Sequence, residues 1–515
     1  MRINKIIYLL FCVAVLTPLA CTDLEEKVLD ETIGEGLLDD PTNAESLVAP
    51  AYASLYFVHS GPGGFWGISQ HTSDETMGPT RGTDWDDNGV WRVLHTHQWD
   101  PFHREVEKAW NDLNNGVARS NVALSRLAAF PESADITRFK AELRFLRAYY
   151  MFHINDLFGQ TPFRSEDDND FVTPPTVLDR RGAADFIISE MDAIINDLGT
   201  KAEVPYGRIS KGAARMLKAK TLLNYEVYTG EAKWGEAVTA CDEIINSGEY
   251  AINDDYFANF ATNNEQTAGD EAIFVIQYDR ATRTADAIRF WCMTMHYNQD
   301  IGVDGFSPWN GFTTVAEFYD KFDPADERLT DDRIRSTHGI NLGFLEGRQV
   351  GVNGDSLTDR AGAPLIFTKE VPLFGANESQ GIRVVKYTPD NESGIQDRGA
   401  NDFLVYRISD VYLMRAEAHL RNGNAGSALS DVNTLRQVRN VPDLTAATLD
   451  NILDERGREL YWEAHRRTDL IRFGKFQDAW AEKNGSTPNA NLFTIPQAAL
   501  DVNPNLTQNA LPGGS

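Results

Sequence analysis

Cysteine is scarce in this 515-residue chain, which contains only four. Two of them lie within the first 21 residues, so only Cys241 and Cys292 remain in the body of the chain. That number excludes a disulfide framework and a zinc site built from four cysteines. The two thiols could form one bridge, or each could be a small buried apolar residue.

Basic residues are also in the minority. The chain has 48 Lys and Arg against 76 Asp and Glu, which gives a formal net charge of −28. A surface of that sign repels nucleic acid and anionic lipid, and it disfavours a polyanionic ligand. We therefore expect no nucleic-acid partner and favour an uncharged ligand, although surplus acids also serve plain solubility.

The chain lacks long apolar runs after its first 20 residues. It also lacks the common catalytic sequence motifs. No later segment is apolar enough over roughly 20 residues to span a bilayer as a helix. A serine nucleophile elbow, a phosphate-binding loop and a dinucleotide fingerprint are missing. With 76 acids the chain could hide the carboxylate pair of a glycoside hydrolase, but no motif singles one out. The sequence therefore favours a binding protein over an enzyme and predicts no cofactor.

The N-terminus has the pattern of a cleaved secretion signal that ends at a cysteine. Arg2 and Lys5 precede a short apolar run over residues 6–16, and Cys21 follows soon after. The run is shorter than the roughly 20 residues of a spanning helix, so residues 1–20 are predicted to be a signal peptide. A cysteine at the first mature position is typical of bacterial lipoproteins, in which the thiol carries the lipid. We predict a globular protein held at a membrane by acyl chains on Cys21.

Helical periodicity covers most of the remaining chain. Arg147, Lys218 and Arg415 each begin the same short pattern, in which alanine follows the basic residue and a large apolar residue comes after three more. Small residues at such positions let paired helices approach closely, as in tetratricopeptide hairpins. We predict a mainly α fold of tetratricopeptide-like hairpins, with a helical scaffold over 103–250 and 402–480. The stretches with apolar residues at three- and four-residue spacing are 103–128, 135–157, 181–198, 208–229, 233–247, 402–422, 425–439 and 447–473.

Two long stretches break the helical pattern, residues 58–101 and 250–400. Both are rich in glycine, asparagine, aspartate, threonine and aromatic residues. Loops of that length inside a compact protein are usually functional. We expect the two stretches to form one variable, loop-rich ligand face on the helical scaffold, within a single domain that covers residues 21–515.

Nine motifs occur in a specific order and spacing along the chain. They lie at residues 21–26 (CTDLEE), 144–150 (RFLRAYY), 155–162 (NDLFGQTP), 234–237 (WGEA), 407–417 (RISDVYLMRAE), 455–460 (ERGREL), 466–474 (RRTDLIRFG), 495–497 (IPQ) and 503–509 (NPNLTQN). Taken together they resemble the SusD/RagB family, the surface glycan-binding lipoproteins of Bacteroidetes. The resemblance covers nearly the whole chain after Cys21 and implies a SusD-like fold with four tetratricopeptide-like hairpins.

The resemblance also implies an activity, a partner and a location. Family members act as a hinged lid over a SusC-like TonB-dependent β-barrel in the outer membrane, where they catch oligosaccharides and pass them inward. The implied protein is a cell-surface lipoprotein that binds a neutral glycan and is not an enzyme. A laminarin-type β-glucan is the first expectation, a starch-like α-glucan the second and a fructan the third. A surface glycoside hydrolase and a protein-binding scaffold without sugar affinity are the alternatives.

Tryptophans in the two variable regions are the candidate sugar-binding residues, because a flat apolar ring can stack on the C–H face of a sugar. Trp85 and Trp309 are predicted to be the main pair, with Trp91 and Trp291 behind them. Packing of the loops onto the helical body is the alternative role for each ring. The polar side chains predicted to bind hydroxyl groups are Arg81, Asp84, Asp86 and Asn310.

His95, His97 and His103 raise the question of a metal site. A His-x-His pair can bind zinc, but no third ligand at fixed spacing is evident. Residues 353–355 (Asn-Gly-Asp) match part of a calcium loop and lack its repeated acids and closing glutamate. We expect structural histidines and no metal ligands, and we leave a structural calcium ion open.

Overall fold

A computed structural model describes residues 43–59, 61–165, 168, 170, 172–278, 288–302, 307–391 and 398–513. The predicted signal peptide and Cys21 lie outside these residues. The chain divides into two units between residues 45 and 46, and nearly everything described belongs to the second, which is compact. None of the helices in the described ranges combines the length and the apolar character that a membrane-crossing segment needs.

Helices dominate the described part of the chain, which confirms the predicted mainly α fold. Short 3₁₀ helices occur at Asp87–Gly89, Phe257–Phe260 and Pro488–Asn491. The α-helices are α1 (Ala44–His59), α2 (Gly64–His71), α3 (Val90–His95), α4 (Arg104–Leu127), α5 (Ala134–Phe158), α6 (Arg180–Ile194), α7 (Lys211–Leu223), α8 (Tyr225–Thr229), α9 (Trp234–Ile245), α10 (Asn264–Thr267), α11 (Phe290–Thr294), α12 (Ala316–Tyr319), α13 (Arg335–His338), α14 (Ile408–Arg421), α15 (Ala425–Val438), α16 (Leu449–Leu460), α17 (Arg466–Arg472) and α18 (Gln497–Val502).

Local chemistry explains where the scaffold helices begin and end. The Ser133 side chain accepts a hydrogen bond from the Ile136 amide at 3.2 Å and so caps the start of α5. Asp179 does the same for α6 through the Gly182 amide at 2.7 Å. Such caps satisfy amides that the first helical turn leaves unpaired. At its other end α5 stops at Gly159, whose φ of +69° is a left-handed conformation that favours glycine.

Most of the long helices pack on the next long helix along the chain, as the repeated pattern predicts. α4 packs on α5, α5 on α6, α6 on α7, α7 on α9, α9 on α14, and α14 on both α15 and α16. The alanine of each repeated pattern is fully buried, which allows this close packing. The basic residue before it pairs with an acid on the neighbouring helix at 2.5–2.7 Å, and these pairs are Arg147–Glu190, Lys218–Asp192 and Arg415–Asp431.

Short antiparallel strands organise the loop regions. β1 pairs with β2, β3 with β9, and β6 with β7, while β5 lies between β4 and β8. In the β3–β9 pair, Val275 lies opposite Leu404, and every residue of both strands is buried. The strands are β1 (Thr161–Phe163), β2 (Thr176–Leu178), β3 (Ala272–Ile276), β4 (Thr330–Asp331), β5 (Leu342–Leu345), β6 (Gly347–Arg348), β7 (Ile366–Phe367), β8 (Arg383–Val385) and β9 (Phe403–Arg407).

The predicted helix over 402–422 is wrong at its start, because residues 403–407 form strand β9 and the helix begins at Ile408. The apolar residues of this strand are buried on both faces, so they lack the alternation that identifies a half-exposed strand. The prediction also missed helix α2, which lies inside the region 58–101 that was expected to be a loop. All eight of its residues are buried, and a helix surrounded by protein shows no amphipathic period.

A buried ionic network lies between the second variable region and the scaffold. Its centre is Glu459 on α16, which accepts from Arg407 at 2.6 Å, Arg439 at 2.8 Å and Arg328 at 3.0 Å. Burial alone would raise the pKa of Glu459, but Arg439 and Arg407 offset that effect and hold it well below its usual range. The network, whose side chains are at most 1% exposed, comprises Glu271, Asp326, Arg328, Lys386, Arg407, Arg439, Glu455, Glu459 and Glu463.

Replacing Arg407 with methionine is expected to destabilise the protein strongly. The change leaves Glu271, Glu459 and Glu463 buried without their shared cation, and removing one partner of a buried pair costs about 3–5 kcal/mol. Urea unfolding followed by circular dichroism measures the loss.

The matched control is Arg333→Met. Arg333 also pairs with two carboxylates, but its side chain is 41% exposed, and surface ion pairs contribute about 0–1 kcal/mol. Equal shifts of the urea midpoint in the two variants would contradict the role assigned to the network.

Candidate functional site

The candidate site lies where the two predicted variable regions meet. The main chains of Met77 and Thr313 exchange two hydrogen bonds, of 2.8 and 2.9 Å. Close by, Arg81 Nε donates to the carbonyl oxygen of Gly311 at 3.3 Å. Because these partners are more than 200 residues apart in sequence, only the tertiary fold brings the two regions together.

An open cleft of about 560 Å³ lies over this junction. That volume falls in the range of sites that hold small ligands. Three of its lining side chains are aromatic and three are charged, so it offers apolar surfaces beside polar groups. The lining residues are Thr83, Asp84, Trp85, Asp87, Tyr297, Ser307, Pro308, Trp309 and Arg360.

Trp85 and Trp309 form the aromatic part of the cleft. The Trp85 indole Nε1 donates to the carbonyl oxygen of Trp309 at 2.8 Å, which fixes one ring against the other segment. The ring centroids are 6.3 Å apart and the ring planes are inclined by 44°. Both side chains are half-buried, so each presents part of its ring to the cleft. The two rings therefore form a bent apolar surface rather than a flat one.

The floor beneath Trp85 explains why a glycine occupies position 311. A Cβ atom there would lie 2.3 Å from Cε2 and Cζ2 of the Trp85 indole and 2.8 Å from the Met293 carbonyl oxygen. The Phe312 ring packs on the same indole, with centroids 4.7 Å apart. Trp85 itself has a φ of +61°, which is uncommon for a bulky residue and turns its side chain onto this floor.

The polar wall of the cleft is built around Asp84. Its Oδ2 accepts from the Tyr297 hydroxyl at 2.6 Å and from Arg360 Nη2 at 3.4 Å. The Arg360 guanidinium lies over the Tyr297 ring, 3.9 Å from the centroid, and also pairs with Glu378. Burial and the bond to Asp84 raise the pKa of Tyr297, so its hydroxyl remains a hydrogen-bond donor at neutral pH.

Three of the eight predicted binding residues line the cleft: Asp84, Trp85 and Trp309. Asp86 instead pairs with Arg92 at 2.8 Å. Arg81 and Asn310 are buried and act as structural supports behind the cleft. The Asn310 side chain accepts from Arg383 at 2.8 Å.

The other two predicted tryptophans, Trp91 and Trp291, are only 3% and 1% exposed. Trp91 lies on α3, where it contacts Phe312 and donates its indole hydrogen to Asp87 at 2.7 Å. Trp291 lies on α11 and covers Gly399. Neither lines the cleft, so both occupy the packing role that was the alternative for each ring.

Tyr297 and Arg360 are cleft residues that the sequence did not indicate. Tyr297 follows the short helix α11, and Arg360 lies on a loop between β6 and β7. Neither residue has a distinctive neighbour in the sequence. Their position opposite Asp84 depends on how three separate segments fold together, so no local signal could have identified them.

The three histidines that raised the question of a metal site contact separate partners. His95 bonds to the Ala481 carbonyl oxygen at 2.8 Å, His97 to that of Thr72 at 2.8 Å, and His103 to that of Val90 at 3.1 Å. In the part of the chain that the structure describes, no group of three or more His, Cys, Asp or Glu side chains is placed to hold a metal ion.

The two remaining cysteines are both buried thiols rather than a bridge. Cys241 lies on α9 and Cys292 on α11. Burial raises the pKa of the Cys241 thiol, which keeps it protonated. Each is thus a small apolar residue of the core, one of the two roles that the sequence left open.

Two family models match separate parts of the chain, and a curated relative matches most of its length. A family model described as "SusD family" matches residues 374–513, and one described as "Starch-binding associating with outer membrane" matches residues 42–223. The curated starch-binding protein SusD of Bacteroides thetaiotaomicron is 27% identical over 474 residues, which are 82% of each chain.

Two solved structures show the same fold. Surface glycan-binding protein A from Bacteroides uniformis aligns with a TM-score of 0.71 at 21% identity, over 91% of this chain and 99% of that one. The corresponding protein from Bacteroides thetaiotaomicron, in complex with laminarihexaose, aligns with a TM-score of 0.67 at 21% identity, over the same shares. These likenesses confirm the predicted arrangement of helical hairpins.

Replacing Gly311 with alanine is expected to displace the Trp85 indole from its floor. The added methyl group would overlap the ring. The φ of residue 311 is not in the left-handed region, so the backbone conformation does not itself require glycine. A crystal structure of the variant, or a shift in tryptophan fluorescence, measures the displacement. Gly235→Ala on α9 is the control, because nothing lies within 4 Å of its added Cβ atom. An unmoved Trp85 ring in the Gly311 variant would contradict the packing described.

Proposed function

The chain belongs to the SusD/RagB family, and we propose that it captures neutral oligosaccharides at the cell surface and passes them to a SusC-like TonB-dependent transporter. The observation that carries this proposal is the joining of Trp85 and Trp309 in one cleft with Asp84 and Arg360. The rings accept the C–H faces of sugar units, and the charged side chains bind their hydroxyl groups.

The chemistry of the cleft suits carbohydrate. Sugars have apolar C–H faces and polar edges, so a site for them needs flat rings beside hydrogen-bonding groups. An aromatic pair contributes about 0.5–1.5 kcal/mol beyond area burial, and a hydrogen bond to a charged group about 1.5–3 kcal/mol. Since water competes for every hydroxyl, we expect Kd values from roughly micromolar to millimolar.

The charge of the cleft favours an uncharged glycan. Asp84 and Asp87 both line it, whereas its cation Arg360 is already paired with Glu378. A sulfate or carboxylate group on the ligand would meet these acids without a free cation to balance it. A laminarin-type β-glucan is our first choice, supported by the laminarihexaose complex of a protein with this fold. A starch-like α-glucan is second, supported by the name of the curated relative, and a fructan is third.

Binding without cleavage is part of the proposal. A glycoside hydrolase needs two carboxyl groups about 5–10 Å apart across the bond, one of them holding a proton. The carboxylates in this cleft both accept hydrogen bonds from protein groups, Asp84 from Tyr297 and Asp87 from the Trp91 indole. A carboxylate has two oxygen atoms, so each can hold its protein partner and also accept from a sugar hydroxyl. Incubation with oligosaccharides should release no new reducing ends, and their appearance would favour the hydrolase alternative.

Trp85→Ala and Trp309→Ala are each expected to weaken glycan binding at least about tenfold, because each removes one stacking surface. A glycan array on the soluble protein beginning at Thr22 identifies the ligand, and isothermal titration calorimetry measures its Kd. Trp480→Ala is the matched control, since Trp480 is also half-buried and lies outside the cleft. Unchanged glycan affinity in both cleft variants would place sugar binding outside the cleft, and a wild-type protein that binds no glycan on the array would favour the protein-binding scaffold.

Lipid attachment at Cys21 is the proposed means of membrane association, because the cysteine follows a short apolar signal and precedes an acidic segment. Cys21→Ala is expected to move the protein from the membrane fraction to the soluble fraction. Detergent phase partition and mass spectrometry of the N-terminus measure the change. Cys241→Ala should remain in the membrane fraction, and a Cys21 variant that did the same would disprove the anchor.

A further inference from the structure

We propose that Phe374 extends the sugar-binding surface beyond the cleft and contacts an additional unit of a long neutral oligosaccharide. The inference rests on the proposed function and adds a binding position for the same ligand class. Phe374 is 70% exposed, although it belongs to a loop that is firmly attached to the cleft.

The attachment of this loop runs through Thr80 and Arg81. The Thr80 amide donates to the Leu373 carbonyl oxygen at 3.0 Å, and the Ala376 amide donates to the Thr80 carbonyl oxygen at 2.9 Å. Arg81 also donates to the carbonyl oxygen of Asn377. Phe374 therefore lies between two main-chain anchors to Thr80, and Thr80 belongs to the segment that leads to Trp85.

The other end of the same loop reaches the polar wall of the cleft. Glu378 accepts from the Arg360 amide at 3.0 Å and pairs with its guanidinium, and Arg360 lines the cleft. The loop thus borders the cleft at Glu378 and presents Phe374 a few residues away. A ligand that fills the cleft and continues along this loop would meet the phenyl ring.

One side of the Phe374 ring is occupied by the protein. The Arg92 guanidinium lies over the ring, 5.2 Å from its centroid, and pairs with Asp86 at 2.8 Å. Asp86 directly follows Trp85 in the sequence. The side chains of Asp86 and Arg92 therefore connect the cleft to the Phe374 ring. An aromatic ring supported on one side and exposed on the other matches the condition of a sugar-stacking platform.

Affinity for two ligand lengths tests the proposal. The probes are laminaritriose and laminarihexaose, or maltotriose and maltohexaose if the array selects an α-glucan, with binding measured by isothermal titration calorimetry. In Phe374→Ala we expect the hexasaccharide Kd to rise about 2- to 10-fold and the trisaccharide Kd to stay within twofold. Phe102→Ala is the control, because Phe102 is 73% exposed and belongs neither to the cleft lining nor to the loop that carries Phe374.

The outcomes separate this inference from the proposed function. If Trp85→Ala weakens both probes but Phe374→Ala changes neither, the cleft stands and the extension is overturned. If Phe374→Ala weakens the two probes equally, the ring belongs to the central binding position and the extension is again overturned. If the wild-type protein binds neither probe and no other glycan on the array, the proposed function fails first.

Discussion

The cleft depends on one buried ionic interaction, the grouping of three arginines around Glu459. Arg328 comes from the second variable region, whereas Arg407 and Arg439 belong to the scaffold. Their common carboxylate on α16 therefore fixes a loop to the helical body from inside. Charges buried this deeply are tolerated only when every partner is present, so the interaction also selects a single arrangement of the loop.

The position of the cleft follows from that fixed loop through a series of main-chain contacts. Lys386 belongs to the ionic network and directly follows strand β8. Just before β8, the Ile382 carbonyl oxygen accepts from the Thr314 amide at 3.1 Å, and the neighbouring Thr313 pairs with Met77. The residues that make these contacts are all buried. The segment that carries Trp85 is consequently held by the same core that holds the scaffold.

The sequence predicted best what is periodic or local. The repeated pattern at Arg147 and Arg415 corresponds to real helix pairs, because its small residue lets the helices approach and its basic residue pairs with an acid on the neighbouring helix. Trp85 and Trp91 show the limit of that approach. They share one polar, glycine-rich segment, yet Trp85 lines the cleft while Trp91 turns inward on α3 against Phe312. Burial of a loop residue depends on distant partners, which the local sequence does not encode.

Buried arginines near the cleft bear on which ligands it can accept. Burial lowers the pKa of Arg81 to about 9 and also lowers that of Arg383. Both guanidiniums donate to main-chain carbonyl oxygens, Arg81 to Gly311 and Arg383 to Gly381. These cations therefore hold loops in place and are withdrawn from the surface. The internal use of Arg81 and Arg383, together with the net charge of −28, supports the proposed preference for an uncharged glycan.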